Sequence, residues 1–236
     1  MNPLAHYHRL IERLLGPDGD VPAAAQAFLE PITAAAGPDE IESLLEVAWD
    51  VLVTAAGDAP DNRQPRLVGL VAGVQQHEIP GVRVWAQRVL TDLPLLGDRM
   101  SRAWDEPLDP AVRLRLNAFA ARLTASVTDF LPLGLRTITA ALESSGGPLP
   151  PAVEWFRHAG PQLVAASLHG RTYAGRLGDT AERPEGGFSV ARWTVWRTRL
   201  DELTRTGDRT AREGFRLITH FDARIVEHYR RPSSPN

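Results

Sequence analysis

The chain has no cysteine and no lysine. Without cysteine there is no disulfide framework, no thiolate nucleophile and no cysteine-ligated metal. All 26 basic residues are arginine. This excludes a lysine Schiff base, and with it pyridoxal phosphate in its usual mode. It also removes the lysine that a P-loop or a protein kinase requires. An arginine-, alanine- and glycine-rich chain without lysine reads as the product of a GC-rich genome rather than as chemistry. Long apolar runs are missing as well: none approaches the roughly 18 residues that span a bilayer. Residues 1–16 interrupt their apolar positions with His6, His8, Arg9, Glu12 and Arg13, so they do not read as a secretory signal, and a cytoplasmic protein is expected. The formal net charge is −3, which provides no global field to recruit nucleic acid or anionic membrane.

What is present points to helices. The chain has 236 residues, 43% hydrophobic and 23% charged, enough for a substantial core. Apolar residues recur at helical spacing along most of its length. Ile41, Leu44, Leu45, Ala48, Val51, Leu52 and Ala55 make one wide stripe, and Val112, Leu116, Phe119, Leu123, Val127 and Phe130 make another. Asn2-Pro3 and Asp109-Pro110 are helix starts, and Ser189 caps a later helix. Period-two alternation is nearly absent; residues 82–85 come closest, inside a stretch at 78–92 that reads as irregular. The Ser/Gly/Pro-rich stretch at 145–151 reads as a loop rather than a domain boundary. The longest loop, 171–188, holds four glycines, and residues 175–187 are expected to be its most mobile part. The expected fold is all-α, a single compact domain of about ten helices over residues 1–231, with a disordered tail at 232–236.

Motifs for defined chemistries are missing: no dinucleotide or P-loop glycine pattern, no H-E-x-x-H, no G-x-S-x-G. The carboxylate pairs Asp39-Glu40 and Asp201-Glu202 lack the third partner that a magnesium–diphosphate site of a terpene cyclase needs. No cofactor is implied. Catalytic candidates reduce to Glu154 and His158, four apart on one helical face, where a carboxylate can orient an imidazole for general-base work. The favoured reading of that pair is an exposed surface pair, with Arg157 also within reach of Glu154. Trp193 and Trp196, one turn apart, can wall a ligand pocket, with Arg122 and Asn117 as polar companions; core packing is the favoured alternative. Arg115 and Arg122 flank the apolar face of their helix, and Glu143 is a candidate carboxylate partner for a buried arginine. In the last helix His220, Asp222 and His228 diverge too far for a metal site, so no metal is expected. Arg209, Arg212, Arg216, His220 and Arg224 run down one face of it, opposite Ile218, Phe221, Ile225 and Tyr229. Such a helix can bind nucleic acid, acidic lipid or an acidic partner, although Glu213 and Glu227 interrupt it and a solvated arginine face is the favoured reading.

Several stretches then fall in a familiar order: L-P-L-L-G at 93–97, L-N-A-F-A-A-R-L-T at 116–124, A-L-E at 141–143, P-A-V-E-W at 151–155, A-G at 159–160 and R-W-T-V-W at 192–196. Together they resemble a family of uncharacterised helical proteins, known mostly from fungi, whose domain has no assigned function. The resemblance covers roughly residues 41–203, with N-A-F-A-A-R-L-T its most specific part. It implies an all-helical fold of similar size. It implies no activity and supplies no functional residue.

Three function classes remain open, enzyme or not. The first, favoured because it needs no special chemistry, is a non-catalytic interaction or scaffold protein that binds a partner chain or itself. The second is a small-molecule binder or cofactor-independent enzyme with a pocket at Trp193, Trp196, Arg122 and Asn117, served by His158 and Glu154. The third is a weak nucleic-acid or membrane-surface binder acting through the last helix.

Overall fold

Half of the ten helix starts fall where a short polar side chain closes the first turn. Asn2 Oδ1 accepts from the Ala5 N–H, Asp20 Oδ1 from Ala23, Asp109 Oδ1 from Ala111 and Ser189 Oγ from Arg192, at 2.8–3.3 Å. Each satisfies an N–H that the helix itself leaves without a partner. At the last helix the cap is Asp208, whose Oδ1 accepts from both Thr210 and Ala211. The computed structural model describes residues 2–144, 146–173 and 186–230, without the side chains of 224–230. The mobile tip expected at 175–187 falls largely outside these residues, as do the tail at 232–236 and the expected side-chain placements of Arg224, Ile225, His228 and Tyr229.

Among the described residues there are ten helices and one two-stranded hairpin. In order they are α1 (Pro3–Leu15), α2 (Val21–Ala34), α3 (Pro38–Asp58), α4 (Gln64–Gln75), β1 (Arg83–Val84), β2 (Gln87–Arg88), α5 (Leu96–Asp105), α6 (Pro110–Ser126), α7 (Leu131–Leu142), α8 (Leu149–Leu168), α9 (Val190–Arg205) and α10 (Arg209–Arg230). The all-α expectation holds, and no described helix is long and apolar enough to cross a membrane. Packing divides the chain into two units, Met1–Phe119 and Ala120–Asn236, and the division falls within α6.

In the first unit α1 packs on α2 and α3, α2 on α4, and α3 on α5 and β1. Its centre is a run of rings, Tyr7 to Phe28 to Trp49, with centroids 5.2 and 5.0 Å apart and all three side chains buried. Burial drives the Tyr7 hydroxyl far above its ordinary pKa, so it stays protonated. It donates to the Phe28 carbonyl at 3.4 Å.

In the second unit α8 packs against α7 and α10, and α10 against α9. The α8 helix bends at Ala159 (φ −119°, ψ 20°), immediately before Gly160-Pro161, where proline cannot continue the hydrogen-bond ladder. Gly160 is required there for a second reason: a Cβ would lie 2.1 Å from the Phe221 ring of α10. Gly134 likewise admits the Trp155 ring, which a Cβ would meet at 2.7 Å.

Candidate interaction surface

Among the described residues, those at 79–95, between α4 and α5, contain the one departure from helix that carries a strand pair. Arg83 pairs with Arg88 and Val84 with Gln87, which leaves Trp85 and Ala86 as a two-residue turn. Both have positive φ, 50° and 63°. A turn of this kind normally takes Asn-Gly or Asp-Gly, because only those residues enter the left-handed region cheaply. For a residue with a Cβ, each such placement costs about 1–2 kcal/mol. Leu93 and Leu95 also have positive φ, 50° and 69°. Every non-glycine with positive φ among the described residues therefore lies within this one segment.

Backbone strain persists only where the surroundings over-determine it, and here they do. The Trp49 indole N–H donates to the Pro94 carbonyl at 2.9 Å, and Gln75 Nε2 donates to Thr91 O at 3.2 Å. Arg88 clamps Asp92 with its side chain, Nη2 to Oδ1 at 2.7 Å, and with its backbone N–H at 2.8 Å. Those two kinds of bond, side chain first, hold the Asp92 carboxyl below its usual pKa. Val84, Val89, Leu90, Leu93 and Leu95 are buried beneath. On this anchored base Trp85 points outward, 57% exposed. Its indole N–H donates to Glu42 Oε1 of α3 at 2.9 Å, which fixes the ring. Sequence reading registered this stretch only as a weak alternation ending in Trp85. The overlooked signal is a tryptophan set among Arg83, Gln87 and Arg88, with no apolar neighbour on its own side of the strand.

The residues singled out from sequence occupy other places. Trp193 and Trp196 of α9 come together with Phe156 and Phe188 in one aromatic cluster, ring centroids 6.0–6.5 Å apart. Both are buried, and both indole N–H groups are taken by carboxylates. Trp193 donates to Asp222 at 2.9 Å and Trp196 to Glu143 at 2.7 Å. Glu143 also receives a two-pronged bond from Arg192, whose Nη1 reaches the Gly187 carbonyl. The adjoining cleft, about 500 Å³, is lined by Glu143, Arg192, Phe188 and Val195 among others rather than by the indoles. Glu143 thus serves Arg192 and Trp196. Asn117 is buried in α6 and donates to the Arg113 carbonyl one turn back at 2.8 Å. Arg122 lies half-buried on the same helix, five residues on and about 140° around it.

Glu154 and His158 do meet: Nε2 of the histidine lies 3.2 Å from Oε2 of the glutamate. Glu154 is buried and His158 half-buried, rather than on the exposed face expected, and Arg157 bonds Glu154 and also reaches Glu213 of α10 at 2.8 Å. Burial pushes the Glu154 pKa up, but the bonds from His158 and Arg157 outweigh it and leave the carboxyl below its usual range. Each Glu154 oxygen faces a cationic or imidazole group, so the arrangement works as a clasp between α8 and α10.

No curated protein and no solved structure matches the chain. A family model described as "Protein of unknown function (DUF3632)" matches residues 49–200. The matched region opens at Trp49, which pins the irregular segment, and runs through the hairpin, the clasp and the aromatic cluster. It covers well over half of the 236 residues, and the chain belongs to the DUF3632 family of proteins of unknown function.

Proposed function

We propose that this protein is a non-catalytic interaction protein and that the Trp85 turn is its docking anchor. The observation that carries this reading is an exposed tryptophan held out on a turn whose two central residues both occupy the left-handed region. Burying the ring would reward such strain within the fold, but the ring is not buried. Tryptophan is the side chain most enriched among residues that dominate binding energy. A ring already fixed by Glu42 loses little freedom when a partner covers it, and that ordering otherwise costs about 0.5–1.5 kcal/mol per side chain. The sealed state of Trp193 and Trp196 favours this reading over the small-molecule pocket, since neither indole N–H is left to meet a ligand.

The test is a photo-crosslinking residue placed at position 85 in the host cell, with position 4 as control, because Leu4 is similarly exposed. A discrete adduct formed from position 85 and not from position 4 supports the anchor. Equal labelling at both positions, or no adduct at 85, overturns it.

A further inference from the structure

Two surface stripes of opposite charge share one spacing. On α3, Asp39, Glu42, Glu46 and Asp50 stand at i, i+3, i+7 and i+11. On α10, Arg209, Arg212, Arg216 and His220 stand at the same intervals. At 100° per residue each set falls within an arc of about 80°, and each runs about 17 Å along its helix. The four α10 residues are exposed, and none is in an ion pair among the described residues. On α3, Arg99 alone serves both Glu46 and Asp50, and Glu42 receives only the Trp85 indole N–H. Several other surface charges are paired locally, as in Arg88–Asp92, Asp98–Arg102, Arg199–Glu202 and Asp201–Arg205. Like charges three and four apart on a helix repel; Arg99 offsets part of this on α3, and on α10 Glu213, which stands beside the stripe, is taken by Arg157. The imbalance extends to the halves: residues 1–119 carry 10 arginines and 17 carboxylates, and residues 120–236 carry 16 and 12.

We infer that the α10 stripe of one copy docks along the α3 stripe of a second copy of this chain, with an arginine stacked on Trp85 at the edge. This rests on the reading of Trp85 as an anchor and names its partner. Arginine over a tryptophan face is a favourable contact, and all the basic residues here are arginine. A bilayer fits the α10 stripe less well, because the opposite side of that helix is already packed over its described side chains, with Ala211, Gly214 and Ile218 buried and so not free to insert. A nucleic acid would meet a protein of net charge −3. Two such contacts close a symmetric dimer, whereas one leaves an open chain; both sediment faster than a monomer.

The experiment is sedimentation velocity of the purified full chain over a range of concentration and salt. The wild type should self-associate, and its apparent dissociation constant should rise at least about tenfold as added salt shortens the Debye length from roughly 10 Å to 3 Å. Arg212→Glu with Arg216→Glu should be monomeric alone, and so should Asp39→Arg with Asp50→Arg. An equimolar mixture of the two variants should associate again, because each supplies the stripe the other has reversed; misfolding would not produce that rescue. A wild type that stays monomeric at every concentration, an association indifferent to both reversals, or a mixture that fails to recover overturns the inference. A monomeric wild type whose position-85 adduct contains a different chain removes this partner and leaves the anchor standing. Stripe-dependent association unchanged in Trp85→Ala overturns the stacked edge and the anchor reading together.

Discussion

Trp85 and Trp196 make the same bond and are put to opposite uses. Each donates its indole N–H to a glutamate, at 2.9 Å and 2.7 Å, yet Trp85 is 57% exposed and Trp196 is 0% exposed. Around Trp196 the glutamate is shared with Arg192, whose side chain is only 13% exposed, and the ring packs on Phe156, Phe188 and Trp193. There the bond satisfies a polar group that burial would otherwise leave costly. Around Trp85 no burial needs compensating. The bond orients a ring that water could satisfy equally well, and the backbone beneath is strained to carry it. The same donor–acceptor pair therefore seals a core around Trp196 and fixes an exposed ring at Trp85; on the function proposed above, the second arrangement serves a partner.

The contrast can be broken by substitution. Trp196→Ala should cost about 3–5 kcal/mol of stability in urea unfolding, from lost burial and the cavity left behind; a cost below about 1 kcal/mol would mean that the cluster is not a packed core. Glu143→Gln keeps the shape but leaves the shielded Arg192 without its counter-charge, for an expected loss of about 2–3 kcal/mol by the same measurement. Acid should separate the regions again. Glu154 has a folded pKa below its ordinary value of 4.5, so its stabilising contribution is complete above about pH 4.5 and is lost as pH falls through the folded value. Stability measured from about pH 5 down to pH 3 should fall less steeply in Glu154→Gln than in wild type. Asp92 also has a lowered pKa, but its ion pair is solvated, so Asp92→Asn should leave the acid limb nearly unchanged. An equal flattening by both would erase the distinction between sealed and exposed pairs. The smallest effect is expected for Trp85→Ala, within about 0.5 kcal/mol, because the ring contributes little to the core.

Much of the helical frame was legible because its signals are local. Asp109 and Ser189 cap helices as their spacing implied, and the Gly160-Pro161 break lies beside an observed bend at Ala159. Sites held by distant pairings were not legible. Glu143 meets Arg192 across 49 residues and Trp196 across 53, and no periodicity within either helix reports that. The Trp85 turn was hidden for a related reason. Its residues are not turn formers, and the segment that carries it is held by contacts distant in sequence, from Trp85 to Glu42 and from Trp49 to Pro94. Local propensity argued against that turn, and tertiary contacts overrode it. Glu154 and His158 were paired correctly from spacing, but the Arg157–Glu213 contact from α8 to α10 is one that spacing within a single helix does not report.

The claim that the Trp85 turn is strained in order to display its ring is tested most directly by replacing Trp85-Ala86 with Asn-Gly and measuring the unfolding midpoint. Asn-Gly is the pair this turn geometry favours. If the wild-type residues are there for a partner, the variant should gain about 1–2 kcal/mol as the strain is relieved. A variant that is less stable than wild type would show that Trp85 and Ala86 serve the fold, and would contradict the account.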